Sequence, residues 1–151
     1  MLDIITKHFS ELTSKELYEL LQLRSEVFVV EQNCVYQDID DKDQKAWHVM
    51  GFKEGFLVAY ARIFKARDYF DKASIGRVTV SNEERKSGFG QLIMKRSIKV
   101  LEGEFKEEII QISAQVYLMK FYKSMGFKTI GKEYLEDGIP HMMMIKENKL
   151  T

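Results

Sequence analysis

A single cysteine, Cys34, in 151 residues leaves no partner inside the chain, which excludes an internal disulfide and a cysteine-built zinc site. A fold of this length can do without such staples, because a chain of about 150 residues buries roughly 68–70% of its unfolded surface around one core. Net charge is missing too. With 23 basic residues against 23 acidic ones, no overall basic field exists to hold nucleic acid or an anionic membrane. No apolar run reaches the roughly 18 residues of a membrane-spanning helix, and Met1-Leu-Asp-Ile-Ile-Thr-Lys7 is too short and mixed for a signal peptide. Linkers, internal repeats and low-complexity segments are also absent. The expectation is one domain over residues 1–151, in a reducing compartment such as the cytoplasm, with no metal, nucleic acid or membrane partner.

What is present centres on Ile75 to Gly90. The β-branched residues at 75, 78, 79 and 80 predict a strand, Ser81 to Lys86 a polar loop, and Gly88 with Gly90 the entry to an amphipathic helix over Gln91 to Glu102. The first N–H groups of a helix have no partner within it, and glycine lets an anion approach the backbone closely. Taken alone, such a turn is equally compatible with packing or capping. A P-loop is excluded because no Gly-Lys-(Ser/Thr) follows, and the Gly-x-Gly-x-x-Gly of dinucleotide folds is incomplete.

Elsewhere, Asp3 to Phe9 predicts a short strand. Thr13-Ser-Lys-Glu16 has the spacing of a capping box, opening a helix that carries Leu20, Leu23, Val27 and Val30 on one face. Glu31 to Lys45 loses periodicity and collects Asp38, Asp40, Asp41 and Asp43; only Lys42 and Lys45 in the segment offset them, so the loop predicts a cation-attracting surface or a solvated acidic turn. Ala46 to Phe52 and Phe56 to Phe64 form a predicted hairpin around Gly55, Glu107 to Ser113 a buried strand, Gln115 to Met125 a helix ended by Gly126, and 128–134 with 140–146 a second hairpin around Glu136-Asp-Gly138. Such an order implies an α/β fold with a mixed sheet covered by helices.

Arg85-Lys-Ser-Gly88-Phe-Gly90 resembles the (Arg/Gln)-x-x-Gly-x-(Gly/Ala) signature of the GNAT acetyltransferase superfamily, and Phe121-Tyr122-Lys-Ser-Met-Gly126-Phe127 is similar to its second motif. A narrower likeness spans nearly the whole chain. Leu20 to Cys34, Tyr36-Gln-Asp38-Ile-Asp40, Gly76-Arg77-Val78 and Glu136-Asp-Gly-Ile-Pro-His141 resemble the ElaA-like branch of that superfamily. The resemblance implies the GNAT fold, a mostly antiparallel twisted sheet splayed near the cofactor strand and flanked by helices. It also implies acetyl-CoA as co-substrate. Val78, Thr79 and Val80 would pair with the pantetheine arm, residues Arg85, Lys86, Ser87, Gly88, Phe89, Gly90 and Gln91 would wrap the pyrophosphate, and Gln115 would stand where many members carry Asn.

In this reading Tyr122 is the acid that protonates the leaving sulfur, and Glu31, at the end of the first helix, is the candidate base. Asp38, Asp40 and His141 are candidate acceptor contacts. The implied activity is acetyl transfer to a primary amine, a small molecule before a protein, by direct attack without an acyl-enzyme. The competing reading is a non-catalytic acyl-CoA sensor, which would keep the glycine loop and need no acid. A homodimer is left open. Without the motifs, Tyr122 would read as core packing, Cys34 as a small buried hydrophobe, and His48 and His141 as ordinary hydrogen-bonded strand residues.

Overall fold

The computed structural model describes residues 1–148, so the last three residues of the expected domain lie outside it. Strand β1 (Asp3–His8) leads to helix α1 (Ser14–Arg24), whose N-terminus closes with the expected capping box: Thr13 Oγ1 accepts from the Glu16 N–H while Glu16 accepts from the Thr13 N–H. The helix continues to Glu31 in wider, π-type turns over Ser25–Glu31. Strands β2 (Trp47–Lys53) and β3 (Phe56–Phe64) form the first hairpin, with Glu54 and Gly55 both at positive φ in its turn. Next come β4 (Ala73–Val80), α2 (Phe89–Lys99), β5 (Ile109–Gln115), the short α3 (Met119–Lys123), β6 (Lys128–Glu136) and β7 (Ile139–Glu147).

The seven strands make one sheet in the order β1-β2-β3-β4-β5-β7-β6, antiparallel throughout except between β4 and β5. On one face α2, the π-type turn Val100–Glu104 that follows it, and α3 bury Ile93, Met94, Leu101 and Tyr122 against Val49, Ile63, Ile110 and Met144. On the other, α1 packs Leu20, Leu23 and Val27 over Met50 and Tyr60. The apolar spacing read from the sequence is therefore what seats both helices.

Two departures from the expected elements bear on the site. The expected helix from Gln115 is shorter: Gln115 ends β5, paired with His141 of β7, and a 3-10 turn over Val116–Leu118 precedes α3. Cross-strand pairing thus overrides a helical apolar spacing that is real only from Met119 onward. The second concerns β4, which touches β5 only through Ala73↔Ile110 and Ser74↔Gln111. Beyond Ser74 the strands part. A bulge helps turn β4 away, since Ala61 of β3 faces both Arg77 and Val78, with Arg77 at φ +52°.

Candidate functional site

The parted strands open a cavity of about 610 Å³ that reaches from the N-terminus of α2 to the turn between β6 and β7. Val78, Thr79 and Val80 of β4 line one side, and Gln115, Leu118, Phe121 and Tyr122 line the other. At its α2 end Gly88 sits at φ +76°, ψ 14°, and no side chain caps the helix, so its first N–H groups are left for a ligand. A Cβ at Gly88 would meet no atom within 4 Å; what that position requires is the left-handed backbone. Gly90 differs, having room for an ordinary contact at 3.5 Å from Val80 Cγ2.

Of the loop residues, Arg85, Gly88, Gly90 and Gln91 reach the cavity wall. Lys86 and Ser87 are exposed away from it, and the Phe89 side chain turns into the core, so these three offer at most their backbone. Arg85 has a partner already. Its guanidinium is paired in two-pronged fashion with the Glu31 carboxylate, one contact measuring 2.8 Å, and its Nε donates to the Val80 carbonyl at 3.2 Å. This joins the end of the α1 extension to the glycine loop across the mouth. Glu31, the candidate base, therefore has each oxygen accepting one bond from Arg85 while its carboxylate still lines the cavity.

The role expected of the acidic loop is corrected. Asp38 Oδ2 accepts from Arg24 Nε at 2.9 Å, and its Oδ1 accepts from Arg77 Nε at 2.7 Å and from the Tyr36 hydroxyl at 3.1 Å. Asp40 takes a two-pronged pair from Arg62 at 2.8 Å, and Asp43 accepts from Arg24 at 2.7 Å and Arg62 at 2.9 Å. Three aspartates thus meet three arginines beneath the cavity, around an Arg24 that is 0% exposed. Neither Asp38 nor Asp40 lies on the cavity wall, and their charge is balanced by arginines the sequence places on α1, β3 and β4. Burial pushes the Asp40 carboxyl up, but Arg62 and Arg77 outweigh it and hold it down at about 2. In the same cluster His48 donates from Nε2 to the Asp43 carbonyl at 3.0 Å and so accepts from the Tyr60 hydroxyl at 2.6 Å. Burial lowers His48 to about 4, and it stays off the cavity as a neutral structural group.

Tyr122 is 8% exposed and lines the cavity, edge-on to Phe121 and Phe127 at 5.2 and 6.2 Å between ring centres. Its hydroxyl has no hydrogen-bond partner among the described residues, and burial, with Tyr117 adding to it, pushes the phenol up to about 12. Cys34, the single thiol, donates to the Asp137 carbonyl at 3.4 Å, tying the loop to the β6–β7 turn. His141 lines the cavity beyond Gln115. Arg62, Arg77 and Ser113 line it too; Arg77 stands in the Gly76-Arg77-Val78 stretch of the resemblance, whereas Arg62 and Ser113 carry no motif, and a period-2 reading of β3 and β5 marks only their faces.

These features can be set beside known proteins. The model of the acetyltransferase (GNAT) domain family matches residues 10–148. Protein ElaA of Escherichia coli is 45% identical over 142 residues, covering 93% of each chain, and a UPF0039 protein of Schizosaccharomyces pombe is 41% identical over 95% of each. Among solved structures, E. coli ElaA superposes with a TM-score of 0.91 at 43% identity, over 97% of this chain and 100% of that one. An acyl-CoA N-acyltransferase from Pseudomonas aeruginosa superposes at 0.90 and 40%, over 95% and 99%. With its parted β4 and β5, uncapped glycine helix and motif-borne tyrosine, the chain belongs to the GNAT acetyltransferase superfamily, in its ElaA-like branch.

Proposed function

We propose that the chain acts, as one domain in the cytoplasm, as an N-acetyltransferase that moves an acetyl group from acetyl-CoA to a small primary amine. The observation that carries this reading is the continuous cavity through the parted strands, which joins an uncapped helix N-terminus to the polar residues Glu136, Asp137 and His141 at the β6–β7 turn. Such a passage suits a diphosphate at one end and an acceptor at the other. Acetyl-CoA supplies a thioester whose carbonyl carbon is open to attack.

The rest falls to this chain. On the edge of β4 that β5 leaves after Ser74, backbone N–H groups hold the extended arm and the developing oxyanion. Tyr122 stays protonated at neutral pH and gives its proton to the departing sulfur, in a pocket too apolar to solvate a thiolate well. The attack is direct: an amine freed of its proton reaches the thioester carbon itself, and no acyl-enzyme is needed. The test incubates the protein with acetyl-CoA and a panel of primary amines and follows free thiol. Amine-dependent release is expected; tight binding with no release across the panel would identify a sensor instead. Tyr122→Phe should keep acetyl-CoA affinity and lose about 10²- to 10⁴-fold in kcat. A loss under threefold, with chemistry rate-limiting, makes Tyr122 a packing residue.

A further inference from the structure

We propose that His141 is the base that takes the ammonium proton of the acceptor, and that Glu136 beside it seats that ammonium; this rests on the amine-acetylation reading above. His141 is 5% exposed and lines the cavity beside the β6–β7 turn. Its Nδ1 lies 2.6 Å from the Ile139 carbonyl, an oxygen that can only accept, so Nδ1 carries the hydrogen and Nε2 holds the lone pair. Glu136 Oε2 stands 3.4 Å from that Nε2. The pair is braced: the Tyr134 ring stacks on the imidazole at 6.1 Å, and Ser113 Oγ hydrogen-bonds the Tyr134 hydroxyl and donates to Glu136 Oε1 at 3.3 Å.

Charge points to the same corner. Of the cavity's carboxylates, Glu31 is paired with Arg85, whereas Glu136 and Asp137 have no lysine or arginine partner among the described residues. Arg62 and Arg77, which also line the cavity, are held by Asp38, Asp40 and Asp43. The unbalanced charge is therefore negative and lies at the β6–β7 turn, so a cationic amine is preferred there.

An alkyl amine resembles the lysine side chain, with a pKa near 10.4, and arrives protonated. One of its N–H groups reaches Nε2 and another reaches Glu136. Transfer of the first proton to Nε2 leaves a neutral amine whose lone pair attacks the thioester carbon. The imidazolium then has both hydrogens satisfied, by the Ile139 carbonyl and by Glu136, and passes its proton to solvent. The nitrogen sheds a second proton as the amide forms, the C–S bond breaks with Tyr122 protonating sulfur, and that second proton restores the phenol. One proton is released per turnover.

The kinetic arm compares His141→Gln with the unaltered protein on the amine it acetylates fastest, across pH. Groups sharing this corner are Glu136, Tyr134, Asp137, Cys34, Tyr36 and Arg77. We expect kcat/KM to fall about 10²-fold near pH 7, with acetyl-CoA affinity unchanged and the deficit shrinking as the amine's own pKa is approached. Glu136→Gln should raise the amine KM more than it lowers kcat. A deficit constant with pH, or no deficit, overturns the proposal. The second arm needs no turnover. In the full ¹⁵N-labelled chain with CoA bound, n-propylammonium should shift the His141 Nε2 resonance, distinguished from those of His8 and His48. If no amine is acetylated but Nε2 responds, the transfer reading fails and the seat stands; an unmoved Nε2 overturns the seat.

Discussion

Replacing Asp38 with Asn separates a structural acidic loop from one that binds the acceptor. The aspartate is 7% exposed and receives three side-chain hydrogen bonds, from Arg24 and Arg77 Nε and from the Tyr36 hydroxyl. An Asn amide keeps one acceptor oxygen and turns its NH₂ toward a guanidinium donor. Three aspartates then become two against three arginines, with Arg24 wholly buried. Breaking a buried ion pair from one side costs about 3–5 kcal/mol, because the partner charge is left unmatched. For a domain stable by about 5–15 kcal/mol that is a large fraction, and with a urea dependence of about 1–3 kcal/mol per molar the unfolding midpoint should drop by roughly 2 M. Asp41→Asn is the control: exposed, and bonded only to Gln44 at 2.9 Å, it should shift stability by less than about 0.5 kcal/mol. Equilibrium urea unfolding followed by circular dichroism reads both. If Asp38→Asn unfolds with Asp41→Asn while the amine KM rises, the buried network is not what the aspartate serves.

Acid should act first through His48: its folded pKa, near 4, lies below the unfolded value of 6.5, so stability is full above about pH 6.5 and falls by about 3 kcal/mol as pH drops toward 4. Asp40, held near 2 against an ordinary 3.8, then adds a loss of about 2 kcal/mol between about pH 4 and 2, and His48→Gln should flatten only the upper part of a urea-midpoint profile. At the cofactor end, Gly88→Val forces a β-branched residue to φ +76° and should raise the acetyl-CoA dissociation constant at least tenfold by calorimetry. Ser87→Ala removes only a 3.4 Å contact to Glu84 and should change it less than twofold, so equal effects would dissociate the loop from the cofactor.

Local pattern was enough for the family and for most elements, the start of α3 excepted. Thr13 and Glu16 cap α1 because the hydrogen bonds they make close over three residues, and Glu54-Gly55 turns a hairpin because backbone twist is decided within the turn itself. The glycine loop and Tyr122 were legible for the same reason: a motif is a spacing, and spacing survives in one dimension. Charge was not. Asp38 looked unpaired beside Lys42 and Lys45, yet its partners lie 14 and 39 residues away, and Glu31 meets Arg85 across 54. The tautomer of His141 rests on the Ile139 carbonyl at the start of β7, and its carboxylate neighbour on the register of β6 against β7. Only the tertiary structure decides which charges cancel, because Coulomb attraction and desolvation depend on distance and burial, quantities fixed when the sheet assembles and the two strands part.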